Sequence, residues 1–219
     1  YEDLIAQGYL SEAVVNYVAL LGWAPGGERE IYSLPELVEA FDIKGISKSP
    51  AIFDIDKLRY FNSEYLRAMT PEQFAAVAAP YIRQTVKGDF DIDAIAGLLQ
   101  ARCERLADIP EKVDFFDVCP EYDVEFFTNK KAKTNPEVCK AMLEAAIPAL
   151  EATWTVETVH DGLISLAEKL EVKNAKLMWP VRIAAAGKLV TPGGAVEICA
   201  ILGKEETLRR LRSGLEKLN

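Results

Sequence analysis

The residues TPEQFAAVAAPYI, positions 70–82, carry the clearest fold signal in the chain. Thr70 and Gln73 have the spacing of a capping box, and Pro71 suits the first helical position, where its missing N–H is not needed. The apolar positions that follow on one face are Phe74, Val77 and Ile82. We predict that a helix begins near residue 70, and we expect Pro80 to kink or shorten it.

Capping and helix-ending residues also mark helices before this segment. Ser11 is placed to cap a helix that Gly22 ends, and Ser33 with Glu36 forms a second capping box. The only candidate strand is the short apolar run at 51–55, and no β-α-β alternation follows it. The pattern predicts a mainly α-helical fold.

Helical spacing continues after residue 82. The apolar positions from Ile92 to Leu106 lie on one helix face, which should close before Pro110. Further boundaries are expected at Asn135 with Pro136, at Gly187 and at Gly203. We divide the chain into a helical domain at 1–69 and two helical subdomains at 70–132 and 133–219.

Composition restricts the class of protein. The 219 residues are 50% hydrophobic, which is enough for a substantial core. No run of about twenty apolar residues occurs, and Glu2 and Asp3 open the chain, so we expect neither a membrane span nor a secretion signal. The net charge of −9 argues against nonspecific coating of nucleic acid but permits one local basic face.

Few residues are available for metal or nucleophilic chemistry. The four cysteines form no Cys-x-x-Cys pair, and His160 is the only histidine, which removes most zinc sites and catalytic triads. The spacing of Asp89, Asp91 and Asp93 imitates the start of a calcium loop, but the sixth and twelfth positions do not fit. Those acidic residues are better explained as partners of a helix amino terminus. We therefore expect no metal site and no autonomous hydrolase.

Several blocks resemble glutamyl-tRNA synthetases. GYLSEA at 8–13 and LLGW at 20–23 are similar to the segment after that family's catalytic loop, and SPAIFD at 49–54 with KLRYFN at 57–62 resembles its stem-contact domain. LLQARCERL at 98–106, WPVR at 179–182, TPG at 191–193 and LGKE at 202–205 resemble its anticodon-binding region. The resemblance implies a stem-contact helical subdomain followed by an all-α anticodon-binding helical cage.

The resemblance also implies a function. The chain should be the tRNA-binding and anticodon-recognition portion of a glutamate–tRNA ligase that positions tRNA-Glu for aminoacylation by a Rossmann catalytic domain absent from this chain. GISKS at 45–49 only superficially resembles the family's ATP loop, because Pro50 follows it and no companion motif is present. We expect no catalytic residue, cofactor or metal in this chain and no activity alone, with ATP and Mg²⁺ acting in the parent enzyme.

The family's motifs assign roles to particular side chains. By resemblance, Arg102 reads a cytosine of the glutamate anticodon, Thr191 contacts a base through its hydroxyl or backbone, and Arg182 lines the same pocket. Trp179 either stacks a base or is an ordinary core aromatic residue. Without the resemblance, Arg102 would be interpreted as a salt-bridge partner of a nearby acid, Glu104 or Asp108.

The stem-contact residues implied by resemblance are Lys57, Arg59 and Asn62, which would hold phosphates and riboses without reading sequence. Their alternative is a solvated basic edge in which Arg59 pairs with Asp56. The basic residues Lys204, Arg209, Arg210 and Arg212 are spread around a helix, so we expect a solvated helix end.

The expected partners are tRNA-Glu and the catalytic half of the same synthetase, in the cytoplasm, with no DNA, no membrane and a monomeric chain. Two alternatives are a helical protein-interaction scaffold without nucleic acid and an unfamiliar nucleotide-using enzyme built around residues 47–49. Whether the parent also charges tRNA-Gln is left open, although Arg102 favours the strict form.

Overall fold

The structure is a computed structural model that describes residues 1–48 and 51–219. Within these ranges the regular elements are helical, which confirms the predicted all-α class. The α-helices are α1 Glu2–Ala6, α2 Ser11–Gly22, α3 Leu34–Ala40, α4 Ile55–Ala68, α5 Pro71–Thr85, α6 Ile92–Leu99, α7 Ile109–Val113, α8 Pro136–Thr153, α9 Thr158–Lys169, α10 Asn174–Ala186, α11 Ala195–Leu202 and α12 Lys204–Lys217. Short 3-10 helices lie at Ile43–Gly45, Gln100–Arg102, Leu106–Asp108, Asp114–Phe116 and Val124–Phe127.

Local capping chemistry sets several helix starts as predicted. Thr70 N–H donates to Gln73 Oε1 at 2.9 Å, and Gln73 N–H donates to Thr70 Oγ1 at 3.2 Å. The capping box of Ser33 and Glu36 at α3 is also present. Asn135 caps α8 by accepting from the backbone of the third helical residue at 2.8 Å. These boundaries are confirmed because each depends on groups that are only three residues apart in sequence.

Two local predictions are wrong, and a third is wrong in one of its two parts. The segment 51–54 forms no strand in the described residues; Asp54 instead caps α4 with its carboxylate, and residues 49 and 50 of the SPAIFD block lie outside the described residues. Helix α5 continues past Pro80 to Thr85, so Pro80 does not shorten it, whereas a kink at Pro80 stays a prediction. Ser11 is the first residue of α2 rather than its cap, and its hydroxyl accepts from Tyr1.

The predicted helix face from Ile92 to Leu106 is interrupted. Helix α6 ends at Leu99, and a 3-10 turn at Gln100–Arg102 follows. The Gln100 side chain bonds to main-chain carbonyls at the end of α4. These tertiary hydrogen bonds therefore end the α-helix at Leu99, although the helical spacing of apolar residues continues beyond it.

The chain divides into two compact units, at residues 1–84 with 99–110 and at residues 85–98 with 111–219, called unit 1 and unit 2. The core of unit 1 is formed by Tyr9, Val14, Tyr17, Leu58 and Phe61, with a neighbouring cluster of Trp23, Tyr32 and Leu37. In unit 2, α10 packs against α8, α11 and α12 and buries most of its carboxyl-terminal half. The three-segment division at 69 and 132 stays a prediction.

In the part of the chain that the structure describes, no helix combines the length and the apolar character needed to cross a bilayer. Cys119, Cys139 and Cys199 are free thiols. Burial raises the pKa of Cys139 to about 11 and that of Cys199 to about 12. These two thiols are therefore protonated and poorly nucleophilic at neutral pH.

Candidate functional site

Arg102 is the last residue of the 3-10 turn in unit 1, and its side chain is exposed. Among residues 1–48 and 51–219 it has no hydrogen-bond or ion-pair partner. Asp108, one of its two alternative partners, is bonded to Arg105, whose Nε lies 3.1 Å from the carboxylate. Glu104 also forms no ion pair in the described residues. The Arg102 guanidinium therefore presents its full set of donors to an external acceptor.

The turn that carries Arg102 is attached to α4. Gln100 Nε2 donates to the main-chain oxygens of Leu66 at 3.1 Å and Met69 at 2.8 Å. On the other side of Arg102, Asn62 Nδ2 donates to the main-chain oxygen of Glu104 at 2.6 Å. Both ends of the segment are thus held by side-chain amides while the arginine between them stays in solvent.

The three stem-contact residues differ in exposure and in whether their side chains already have partners. Lys57 is exposed, and its Nζ lies 2.5 Å from a carboxylate oxygen of Glu30 and 5.8 Å from the centroid of the Phe61 ring. Arg59 is half-buried, and its buried Nε has no hydrogen-bond partner in the described chain. Among the described residues Arg59 also forms no ion pair, so the alternative pair with Asp56 is not present. Lys57 and Arg59 therefore remain candidates for a phosphate contact.

Asn62 requires a correction. Its side chain is 0% exposed, its amide nitrogen binds Glu104, and its Oδ1 accepts from Leu10 N–H at 2.8 Å. A fully enclosed amide with both ends satisfied cannot reach a phosphate on the protein surface. The sequence places Asn62 one helical turn from exposed neighbours, but its spacing with the buried residues Leu58 and Leu66 was the signal that it faces inward.

Unit 2 brings three candidate residues together. The guanidinium of Arg182 lies over the ring of Trp179, 4.7 Å from its centroid, and Nη1 donates to Thr191 Oγ1 at 2.7 Å. Arg182 Nη2 donates to the main-chain oxygen of Leu189 at 3.0 Å. Trp179 Nε1 donates to the main-chain oxygen of Phe126 at 3.0 Å. Helix α10 positions Trp179 and Arg182 three residues apart on one face, where both meet the loop that follows the helix.

The loop after α10 starts at Gly187, whose φ of 63° is the left-handed conformation that ends the helix. It exposes Leu189 and Val190, the second of them 84% accessible. Thr191 Oγ1 donates to the main-chain oxygen of Gly193 at 2.7 Å while accepting from Arg182. The hydroxyl hydrogen of Thr191 is therefore committed inside the loop, which leaves its second lone pair and its backbone for a ligand.

Burial lowers the pKa of Arg182, but a guanidinium remains charged at any physiological pH. Arg182 has no carboxylate partner among the described residues. A half-buried cation without a counter-ion, beside an indole ring and two exposed apolar side chains, is suited to a ligand that is both planar and anionic.

The basic side chains of α12 are held within unit 2. Arg209 is bonded to Glu206 and Arg212 to Glu151. Arg210 is only 2% exposed, and its guanidinium donates to the main-chain oxygens of Phe115, Ala185 and Phe116 at 2.6, 2.8 and 2.8 Å. The expectation of a solvated helix end is wrong for Arg210.

The signal for this burial was in the sequence. Thr207, Arg210, Leu211 and Gly214 follow the spacing of one helix face, and all four are buried. A single arginine on a face otherwise made of small and apolar residues indicated a buried guanidinium.

Residues 73–215 match the family described as anticodon binding domain, and residues 2–60 match the catalytic domain of class I tRNA synthetases (E and Q). The glutamate–tRNA ligases of Clostridium tetani and Clostridium botulinum strain Hall are 50% and 48% identical to the chain. Each alignment covers 100% of this chain and 45% of the relative, so the chain spans less than half the length of these relatives.

Solved structures agree with the sequence comparisons. A glutamate tRNA ligase from Elizabethkingia meningosepticum in complex with its amino acid superposes with a TM-score of 0.82 and 30% identity, covering 97% of this chain and 42% of that one. The glutamate-tRNA synthetase of Elizabethkingia anophelis gives a TM-score of 0.80 and 28% identity, covering 95% of this chain and 41% of that one.

Proposed function

This chain belongs to the anticodon binding domain family, and on that premise we propose that it holds tRNA-Glu and reads its anticodon for a glutamate–tRNA ligase. Its identity to such ligases over its whole length supports the choice of glutamate. The bound tRNA would be positioned for aminoacylation by a catalytic domain of the same enzyme. We place this activity in the cytoplasm, with the chain acting as a monomer.

The observation that carries the proposal is the state of Arg102. Its guanidinium is exposed, has no partner in the described residues, and projects from a turn attached at both ends. Anticodon bases are unstacked and offer their Watson–Crick edges, which a fixed fork of N–H donors can recognise. Arg102 is therefore the base-reading residue of unit 1.

The cluster of Trp179, Arg182 and Thr191 is the corresponding surface of unit 2. Arg182 already fills one face of the indole, so a stacked base would use the other face or the exposed Leu189 and Val190. Lys57 and Arg59 are assigned to the tRNA backbone, where charge contributes affinity without sequence preference.

We assign the chemical step to the parent enzyme. ATP and Mg²⁺ would act in its catalytic domain, and this chain alone would neither activate glutamate nor transfer it.

The test is titration of the chain with an anticodon stem-loop of tRNA-Glu at fixed salt. Arg102→Ala is expected to weaken binding by roughly 1–3 kcal/mol and to reduce the preference for the cognate base at one anticodon position. Arg102→Lys keeps the charge but loses the two fixed donors, so it should restore affinity more than discrimination.

Arg29→Ala is the matched control, because Arg29 is an exposed arginine of unit 1 whose guanidinium is bonded to Glu36 at 2.6 Å. Identical curves for Arg102→Ala and wild type would refute the base-reading role. A helical scaffold without a nucleic acid partner would instead show no mobility shift with total tRNA, and no observation in the described structure favours that alternative.

A further inference from the structure

We propose that Gln100 and Asn62 are positioning residues that hold the Arg102 turn in the conformation that reads a base. The inference rests on the proposed function, since it assigns the side chains that prepare Arg102 for its ligand. Neither residue would touch the tRNA. Their role would be to order the turn before binding, so that the complex does not bear that entropic cost.

Gln100 supplies the first anchor. Its amide nitrogen donates to the carbonyls of Leu66 and Met69, which lie at the carboxyl-terminal end of α4. The last carbonyls of a helix have no partner within the helix and need one from elsewhere. Gln100 is two residues before Arg102, so the end of α4 and the start of the turn satisfy each other.

Asn62 supplies the second anchor from the interior of α4. Its amide nitrogen binds the carbonyl of Glu104, two residues after Arg102, and its oxygen accepts from Leu10 N–H. The side chain is fully buried, so water cannot replace either bond. The two amides therefore fix the main chain two residues before and two residues after Arg102.

The neighbouring contacts leave the backbone little freedom. Cys103 is 2% exposed, and Leu106 N–H donates to the carbonyl of Gly8 at 3.1 Å. Gly8 has a φ of 82°, and a Cβ on it would lie 2.3 Å from the backbone nitrogen of Ala107. Residues 100–107 are thus held on both sides of Arg102 by other parts of unit 1, while the side chain of Arg102 is exposed.

This arrangement explains why a 3-10 turn replaces the helix expected here. Had α6 continued past Leu99, Gln100 would not have the same position against the end of α4. A turn of three residues has weak internal hydrogen bonding, so it keeps one conformation only when external contacts hold it. The two amides supply those contacts.

The experiment uses Gln100→Met, which keeps the length of the side chain and removes both donors. Hydrogen–deuterium exchange of the free protein at residues 99–106 should become faster by about tenfold, since each lost bond contributes a modest net stability. Gln73→Met is the matched control, because Gln73 also bonds a backbone group of unit 1 but lies at the start of α5. Its exchange at 99–106 should equal that of wild type.

Stem-loop binding tests the role in recognition. Gln100→Met should lower affinity for the cognate anticodon by about tenfold, as the competent turn becomes less populated, with an unchanged salt slope. The double variant with Arg102→Ala should lose no more than Arg102→Ala alone, because a positioning residue acts only through the residue that it positions.

The outcomes separate the two proposals. Additive losses for the double variant, or exchange and binding equal to wild type for Gln100→Met, would overturn the positioning role while leaving base reading by Arg102 intact. Wild-type protein that binds no stem-loop would defeat the proposed function and the positioning role together, whereas the exchange comparison would still report whether Gln100 orders the turn. Asn62 is a poor first target, since its removal leaves two buried backbone groups unpaired and lowers overall stability.

Discussion

Replacing Arg182 with lysine tests how Arg182 holds the loop that follows α10, at residues 188–193. Arginine donates to Thr191 Oγ1 and to the Leu189 carbonyl from two nitrogens while its plane covers Trp179. A lysine ammonium keeps the charge but cannot span both acceptors or cover the ring in the same way. The substitution therefore removes geometry and leaves electrostatics almost unchanged.

The size of the effect follows from these contacts. A hydrogen bond from a charged donor contributes about 1.5–3 kcal/mol net, and a cation over an indole adds about 0.5–2 kcal/mol. Leu189 is 47% exposed, so water compensates for part of the loss there, and lysine keeps about one of the bonds. We expect the conformation of residues 188–193 that Arg182 holds to lose about 2 kcal/mol of stability. This is roughly a 30-fold change in the equilibrium between the held and the released loop.

The assay pairs stem-loop titration with hydrogen exchange at residues 188–193. Arg182→Lys should weaken binding by up to roughly 30-fold and speed exchange in that loop. Arg212→Lys, in the same unit, should leave both unchanged, because Arg212 pairs with the exposed Glu151. Wild-type binding and wild-type exchange in Arg182→Lys would refute the idea that Arg182 orders the loop.

Arg210→Met should cost about 3–5 kcal/mol in urea denaturation, because it leaves the main-chain carbonyls of Phe115, Phe116 and Ala185 without their donor, whereas the exposed Arg209→Met should cost less than about 1 kcal/mol. Similar losses for the two variants would contradict this prediction. Hydrogen bonding to Arg209 and Arg210 lowers the pKa of Glu206 from 4.5 to about 2, so Glu206→Gln should be less stable than wild type at pH 7, with a gap that closes as the pH falls from 4.5 toward 2. Denaturation curves across that range check this, with Glu205→Gln as the control, and a gap independent of pH would argue against the ion pairs. Lys57→Ala should reduce the salt slope of tRNA binding by about one for tRNAs of any sequence, and an unchanged slope would exclude a phosphate contact.

The sequence was most informative where one local interaction decides the structure. The capping pairs at residues 33–36 and 70–73 involve side chains three positions apart, so their spacing alone predicts the helix start. The all-α class followed from the same patterns.

Sequence reasoning failed where distant groups meet. Gln100 and Asn62 lie 38 positions apart in the chain, yet both hold the segment around Arg102, and their bonds span 34 and 42 positions, which no local periodicity records. Arg210 bonds to carbonyls about 95 and 25 positions away, so these partners depend on the packing of several helices, although its own helix face indicated that it is buried. The resemblance supplied which residues matter, and the structure supplied which of them are free to bind.

The central claim is that this chain contacts the anticodon bases of tRNA-Glu. Chemical probing of Watson–Crick edges in full-length tRNA-Glu, with and without a saturating amount of the chain, tests it most directly. We predict protection of the anticodon bases, with one cytosine losing protection when Arg102→Ala replaces the wild-type protein. Anticodon bases that react equally in free and bound tRNA would contradict the account.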